Sequence, residues 1–174
     1  MNKAVFLDRD GVINDTIIIN NKSYPPNSLH ELVIFKEVYP ALELLKKAGF
    51  ILIIVTNQPD VGRKTQDLNV VEAIHSYIRD LLPLDDIYAC YDEYSSDYKP
   101  KPGMLIRAAS KYQIDLSQSY MVGDRWRDVG AGKAAKCCTI FIERNYSEQL
   151  REIPDHTCFN LLEAASFILS QRNP

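Results

Sequence analysis

Long apolar runs are missing from this chain. The longest, residues 50–55, has six residues, far short of the ~18 that a membrane span requires. It suits a buried strand instead. The N-terminus, Met1-Asn2-Lys3, lacks the basic region, apolar stretch and small-residue cleavage site of a signal peptide. Cysteine is scarce. Cys90, Cys137, Cys138 and Cys158 include no C-x-x-C pair, and adjacent Cys137 and Cys138 are poor disulfide partners. Reduced, mostly structural thiols in a cytoplasmic protein are the expectation. A basic excess is absent too. Twenty lysines and arginines against 23 aspartates and glutamates leave a net charge of −3, whereas a nucleic-acid binder usually carries a basic excess or stripe. Internal repeats and low-complexity tracts are also lacking. What remains is 174 residues, 46% apolar and 25% charged. Those are ordinary globular values, and the length suits one domain with a sizeable core.

The pattern alternates strands and helices. Residues 4–7 read as a first strand that ends in acids. Val38, Ala41, Leu42, Leu44, Leu45 and Ala48 recur at helical spacing, and Gly49 follows Lys46 and Lys47 as a natural stop. The run at 50–55 is apolar throughout, as a strand buried on both faces should be. Val70 to Leu82 carries the clearest helical stripe, with Asp67 as N-cap and Pro83 as terminator. Further strands are expected at 87–91, 120–122 and 139–142, and helices at 104–112, 128–136 and 161–169. This alternation predicts a Rossmann-like, doubly wound, mainly parallel α/β sheet covered on both faces. Residues 15–34 and 92–103 break the rhythm after the first and third strands. Loops at the carboxyl ends of parallel strands wall ligand sites.

Four polar clusters leave the carboxyl ends of successive strands. Asp8-Arg9-Asp10-Gly11 places two carboxylates two residues apart before a turn. One can act as a nucleophile and its neighbour can move protons, and a cation between them would relieve their repulsion. A plain capped strand end is the bland alternative. Thr56-Asn57-Gln58 offers a hydroxyl and backbone N–H groups to phosphate oxygens, or simply closes a strand. Lys99-Pro100-Lys101-Pro102-Gly103 fixes a point charge between prolines, or forms a solvated basic loop. Gly123-Asp124-Arg125 and Asp128 add further acids, with Asp128 equally readable as a helix N-cap. Each cluster is modest alone. Together, around one crevice, carboxylates, a hydroxyl and a lysine describe a magnesium–phosphate site.

These four clusters resemble the motifs of the haloacid dehalogenase (HAD) superfamily of aspartyl-phosphate phosphatases. The resemblance spans residues 3 to about 145. Within it, Asp8 to Asn14, Thr56-Asn57-Gln58 with Arg63, and Lys99 to Met104 are similar to the branch that holds heptose bisphosphate and histidinol-phosphate phosphatases. The resemblance implies a HAD fold with a minimal cap, one domain over residues 1–174, and loop insertions at 15–34 and 92–98 that shape the substrate entrance. It implies that Asp8 attacks phosphorus. Asp10 then protonates the leaving alcohol and activates water. It implies Mg2+ on the Asp8 carboxylate, the Asp10 main-chain carbonyl and Asp124. Thr56, the Asn57 backbone and Lys99 would stabilise the phosphoryl group, with Lys101 the rival to Lys99.

The chain departs from that branch in two places. The expected C-x-H…C-x-C zinc loop is reduced to Cys90 with a very short loop, and structural zinc wants four ligands. No zinc is expected, and Cys90 reads as a buried strand-end thiol. Tyr98 stands where relatives place an arginine before the lysine. Arg63 and Lys64 are candidate contacts to a second substrate anion or form a solvated loop, Arg125 is a further candidate substrate contact, and Trp126 can stack on a sugar or pack against the wall. His30, His75 and His156 read as packing or surface residues. The expected activity is hydrolysis of a small sugar phosphate, with a D-glycero-D-manno-heptose 1,7-bisphosphate as the specific expectation. Histidinol phosphate, a silent phosphate-binding protein and a polynucleotide 3′-phosphatase follow in that order. No nucleic-acid or membrane partner is expected, and a monomer is favoured.

Overall fold

The computed structural model describes residues 1–146 and 148–171. The single-domain expectation for residues 1–174 therefore extends over Ser147 and 172–174, which lie outside the described residues. The described strands and helices, in chain order, are β1 (Ala4–Leu7), β2 (Ile17–Ile19), β3 (Lys22–Tyr24), α1 (Val38–Lys47), β4 (Ile51–Asn57), α2 (Pro59–Gly62), α3 (Leu68–Leu81), β5 (Asp86–Cys90), α4 (Gly103–Tyr112), β6 (Tyr120–Gly123), α5 (Trp126–Ala134), β7 (Cys138–Ile142), β8 (His156–Cys158) and α6 (Leu161–Ser170).

Six of the strands form one parallel sheet in the order β5-β4-β1-β6-β7-β8. The chain winds outward from β1 through β4 to β5. It then crosses back to β6 on the other side of β1. The reversal puts a crevice at the carboxyl ends of β1, β4 and β6, where ligands bind in such sheets. Registers Leu7↔Ile54 and Leu7↔Val122 bring the three strand ends level. The polar residues that follow each strand therefore face one another.

Alternation along β1 explains the two layers of core. Val5 and Leu7 join a cluster with α1, α3 and α6, including Leu42, Ile74 and Ala165. Ala4 and Phe6 point to the other face and pack with Met104, Ala108 and Ala131 of α4 and α5. Both faces of the central strands are buried, which is why β4 reads as an unbroken apolar run. The Asp67 side chain accepts the Asn69 N–H at 2.8 Å, and Gly49 takes φ +85° after α1. Both helix ends are as the sequence indicates.

Four features differ from expectation. Helix α5 begins at Trp126, and Asp128 is not its N-cap. Asp128 sits one turn in and accepts the Arg125 N–H at 3.0 Å, so Arg125 occupies the cap position. The 15–34 segment is partly regular: β2 and β3 form an antiparallel hairpin through Asn20 and Asn21, whose φ values are 51° and 59°. The short edge strand β8 and the single-turn α2 carry too few residues to show a period.

Phe6 has no exposed surface. Phe6→Ala is expected to lower stability by about 3–5 kcal/mol, because the packed site cannot collapse around the lost ring. Urea denaturation checks this; a loss below about 1 kcal/mol would contradict a tightly packed second core layer.

Candidate active site

The loop after β1 turns sharply at Gly11, which has φ +88°. A Cβ there would fall inside the van der Waals shell of the Asp124 carboxylate. Both needs, positive φ and close approach, select glycine. The turn leaves Asp8 buried against Lys99 while Asp10 points a different way.

Lys99 is the hub. Its side chain is 2% exposed. Its ammonium donates to Asp8 Oδ1 at 2.9 Å, Asp128 Oδ1 at 2.6 Å and the Val55 carbonyl at 2.7 Å. All three ammonium protons are thus placed, one each on groups from β4, the loop after β1 and the first turn of α5. Burial acts to lower the Lys99 pKa, but the charges of Asp128 and Asp8 outweigh it and raise the value. The Lys99–Pro100 peptide is cis. Asn57 locks the loop: its side chain donates to the Lys99 carbonyl and accepts the Lys99 N–H, both at 3.0 Å. Lys101, the sequence rival, is turned to the Tyr94 and Ser95 carbonyls at 3.0 Å each.

Asp8, Asp124 and Asp128 each place a carboxylate oxygen within 4.8 Å of the others. Burial, then the charge of Asp128, pushes Asp8 up to about 7 despite Lys99. Burial, then Asp8 and Asp128, also raises Asp124 well above the carboxylate range. Neither oxygen of Asp124 has a hydrogen-bond partner among the described residues, and Arg125 Nε approaches no nearer than 3.8 Å. A buried carboxylate without a donor is costly. An all-oxygen donor set with an orphaned carboxylate fits a hard divalent cation such as Mg2+.

Asp10 lives in a different environment. Its side chain stands outside the group of Asp8, Asp124 and Asp128 carboxylates. Arg9, fully buried, spans both Asp10 oxygens at 3.0 Å. Asn14 donates to Oδ1 at 3.0 Å and Gln58 to Oδ2 at 2.7 Å. Burial raises the Asp10 carboxyl, but the Arg9 charge and the hydrogen bonds from Asn14, Arg9 and Gln58 hold it below its ordinary value. Gln58 also donates to Thr56 Oγ1 at 3.0 Å. Thr56 therefore keeps its own O–H free to donate.

Two residues have larger parts than the sequence suggested. Gln58 bridges Asp10 and Thr56. His75, a packing residue on the α3 stripe, accepts from Arg9 Nη1 through Nε2 at 2.9 Å. Burial, then the Arg9 charge, pulls its pKa down to about 4, which keeps the ring neutral as an acceptor. No local pattern signals either contact, since Arg9 and His75 are 66 residues apart.

The crevice mouth is a cleft of about 270 Å³, small enough for a metabolite, lined by Asp8, Asp10, Asn57, Lys99 and Asp128. Thr16, Ser23 and Tyr24 of the hairpin region and Tyr98 also line it. Arg63 and Arg125 reach it with their charges already matched. Arg63 forks onto Glu93 at 2.8 and 2.5 Å, and Arg125 pairs with Glu148 at 3.0 Å and with Ser23. Trp126 faces a separate surface pocket with Glu148, Leu150 and Arg151. Cys90 is a buried strand-end thiol that donates to the Asp92 carbonyl at 3.3 Å. No described helix is long and apolar enough to cross a membrane.

Comparison with known proteins agrees with this architecture. Residues 16–136 match the model of the haloacid dehalogenase-like hydrolases, and the chain belongs to that family. It is 39% identical over 153 residues to a D-glycero-β-D-manno-heptose-1,7-bisphosphate 7-phosphatase of Haemophilus influenzae, covering 78% of each chain. It is 35% identical over 145 residues to the Helicobacter pylori protein of the same name, covering 78% of this chain and 80% of that one. Among solved structures it resembles the D,D-heptose 1,7-bisphosphate phosphatase from B. bronchiseptica, complexed with magnesium and phosphate. The TM-score is 0.79 at 26% identity, over 97% of this chain and 99% of that one.

His75 gives the site a pH signature in stability. Its folded pKa of about 4 lies below the ordinary 6.5. Between those values the unfolded chain binds a proton that the native state refuses, so its contribution is complete above about 6.5 and is lost as pH falls towards 4. Comparing wild type with His75→Gln by urea denaturation should show a difference in slope of up to about 1.4 kcal/mol per pH unit in that window. Parallel curves would contradict a neutral, Arg9-bound His75.

Proposed function

We propose that this chain is a magnesium-dependent phosphomonoester hydrolase that works through an aspartyl phosphate on Asp8. One observation carries the reading: Asp8 is held on the Lys99 ammonium beside Asp124 and Asp128, while Asp10 sits apart in its own hydrogen-bond net. Two carboxylates two residues apart in sequence thus occupy opposite electrostatic environments, the arrangement that separates a nucleophile from an acid–base group.

In this reading an Asp8 oxygen attacks phosphorus, and the bond from phosphorus to the leaving alkoxide oxygen breaks. Asp10 gives its proton to that oxygen. Water then attacks the phosphorus of the aspartyl phosphate, Asp10 takes the water's proton, and the Asp8 carboxylate departs from inorganic phosphate. The low pKa of Asp10 suits the base half of the cycle. A phosphate dianion docked nearby works in the opposite sense and favours the protonated acid of the first half. The Thr56 hydroxyl and the Asn57 N–H offer donors to the equatorial phosphoryl oxygens, and Lys99 does so by turning its Asp8 proton to the phosphoryl group as Asp8 bonds to phosphorus. Asp8 and Asp124, with the Asp10 main-chain carbonyl, would hold Mg2+, and Asp128 fixes Lys99 alongside. Bound there, the ion neutralises phosphate charge and that of the carboxylates.

For substrate we propose a small sugar bisphosphate, specifically a D-glycero-D-manno-heptose 1,7-bisphosphate cleaved at its 7-phosphate. The names of the two relatives and the size of the cleft support this choice. The 15–34 and 92–98 segments would shape the entrance. The reading keeps the expectations of no zinc, a monomer and a cytoplasmic location.

Phosphate release from a metabolite panel tests it. The panel holds both anomers of the heptose 1,7-bisphosphate, histidinol phosphate and p-nitrophenyl phosphate. Turnover should require Mg2+, favour a heptose bisphosphate, and fall by about 10⁴-fold or more in Asp8→Asn. Substantial turnover by that variant would remove Asp8 as nucleophile. Preference for histidinol phosphate would replace the substrate.

A further inference from the structure

Four cations line the cleft: Arg63, Lys99, Arg125 and Arg127. Three are matched by carboxylates. Lys99 is held by Asp8 and Asp128, Arg63 by Glu93 and Asp60, and Arg125 by Glu148. Arg127 differs. Among the described residues it makes no ion pair, and its recorded neighbours are aromatic rings. Its guanidinium lies 4.8 Å from the Trp126 ring centre and 5.9 Å from that of Tyr98. The two rings supply attraction without neutralising the charge. They also favour a defined plane for the fork, which lowers the entropy lost when it binds a ligand.

A planar guanidinium with free N–H groups at the edge of this cleft suits bidentate contact with a second phosphate. Lys99 and the proposed metal serve the reacting one. We propose that Arg127 receives the non-reacting anionic substituent of the substrate, the second phosphate of a sugar bisphosphate, and so sets the preference for bisphosphates over monophosphates. This rests on the phosphatase reading above for the identity of the substrate, but its geometry is independent of the chemistry at Asp8. Arg63 and Arg125 already hold carboxylates, so their charge is less available to a second phosphate than that of Arg127.

The experiment measures binding and not turnover. Calorimetry on Asp8→Asn and on Asp8→Asn/Arg127→Ala compares heptose 1,7-bisphosphate with the matching heptose 7-phosphate, in Mg2+. Trp126 is the single tryptophan of the chain, so its fluorescence reports whether the second phosphate arrives beside Arg127. In Asp8→Asn the bisphosphate should bind about ten-fold or more tighter than the monophosphate, the scale of one charge-assisted contact. The bisphosphate alone should shift Trp126 emission. The gap should close to within about two-fold when Arg127 is alanine, and Arg127→Lys should restore part of it as a point charge without the fork. A gap that survives Arg127→Ala overturns the assignment, and so does the absence of any gap in Asp8→Asn. If binding behaves as expected but the unmodified chain releases no phosphate, the phosphatase reading fails and the anion site on Arg127 stands.

Discussion

A lysine ammonium buried at the carboxyl edge of a sheet has to be neutralised on the spot, and the rest of the site is arranged around that need. Lys99 is met by Asp8, by Asp128 and by the Val55 carbonyl. Removing any one would leave a charge or a donor stranded in a low-dielectric setting, which costs several kcal/mol. The hub therefore ties the loops after β1 and β5 and the first turn of α5 to the end of β4. The level registers of β4, β1 and β6 make the tie geometrically possible.

The same hub leaves an electrostatic remainder. One ammonium faces three carboxylates, and Asp124 has no donor of its own. The upward pressure on Asp8 and Asp124 comes first from burial and then from neighbouring acids. Both pressures fall when a divalent cation shares the oxygens. Asp10 lies on the other side of this divide. Arg9, Asn14 and Gln58 stabilise its anion, and His75 holds Arg9 from behind. A helix on one face of the sheet thereby orients Asp10, the proposed acid–base group, on the loop after β1.

Much of this was legible in the chain because the informative signals are local. Strands buried on both faces write themselves as apolar runs, and Asp67 and Gly49 mark helix ends through backbone requirements of their own. The joint order of acids, threonine, lysine and acid marked the crevice before any geometry. The missed features are non-local or double-valued. Asn20-Asn21 is a hairpin turn pair with both φ values positive, yet the flanking three-residue strands are too short to show alternation. Asp128 looks like a helix cap and does accept a backbone N–H near the helix start, but the same carboxylate also holds Lys99. His75 fits an apolar stripe, and only the fold brings Arg9 to it. The charges of Arg63 and Arg125 looked available in sequence because Glu93 and Glu148 lie 30 and 23 residues away.

The most direct test of the hub is a crystal structure with Mg2+ and beryllium trifluoride, which mimics a phosphoryl group on an aspartate. The trifluoride should sit on Asp8, within hydrogen-bond reach of Lys99 and Thr56, with the metal on Asp8, Asp124 and the Asp10 main-chain carbonyl and with the Asp10 side chain off the metal. A trifluoride on any other carboxylate, or a metal held away from Asp124, would contradict it.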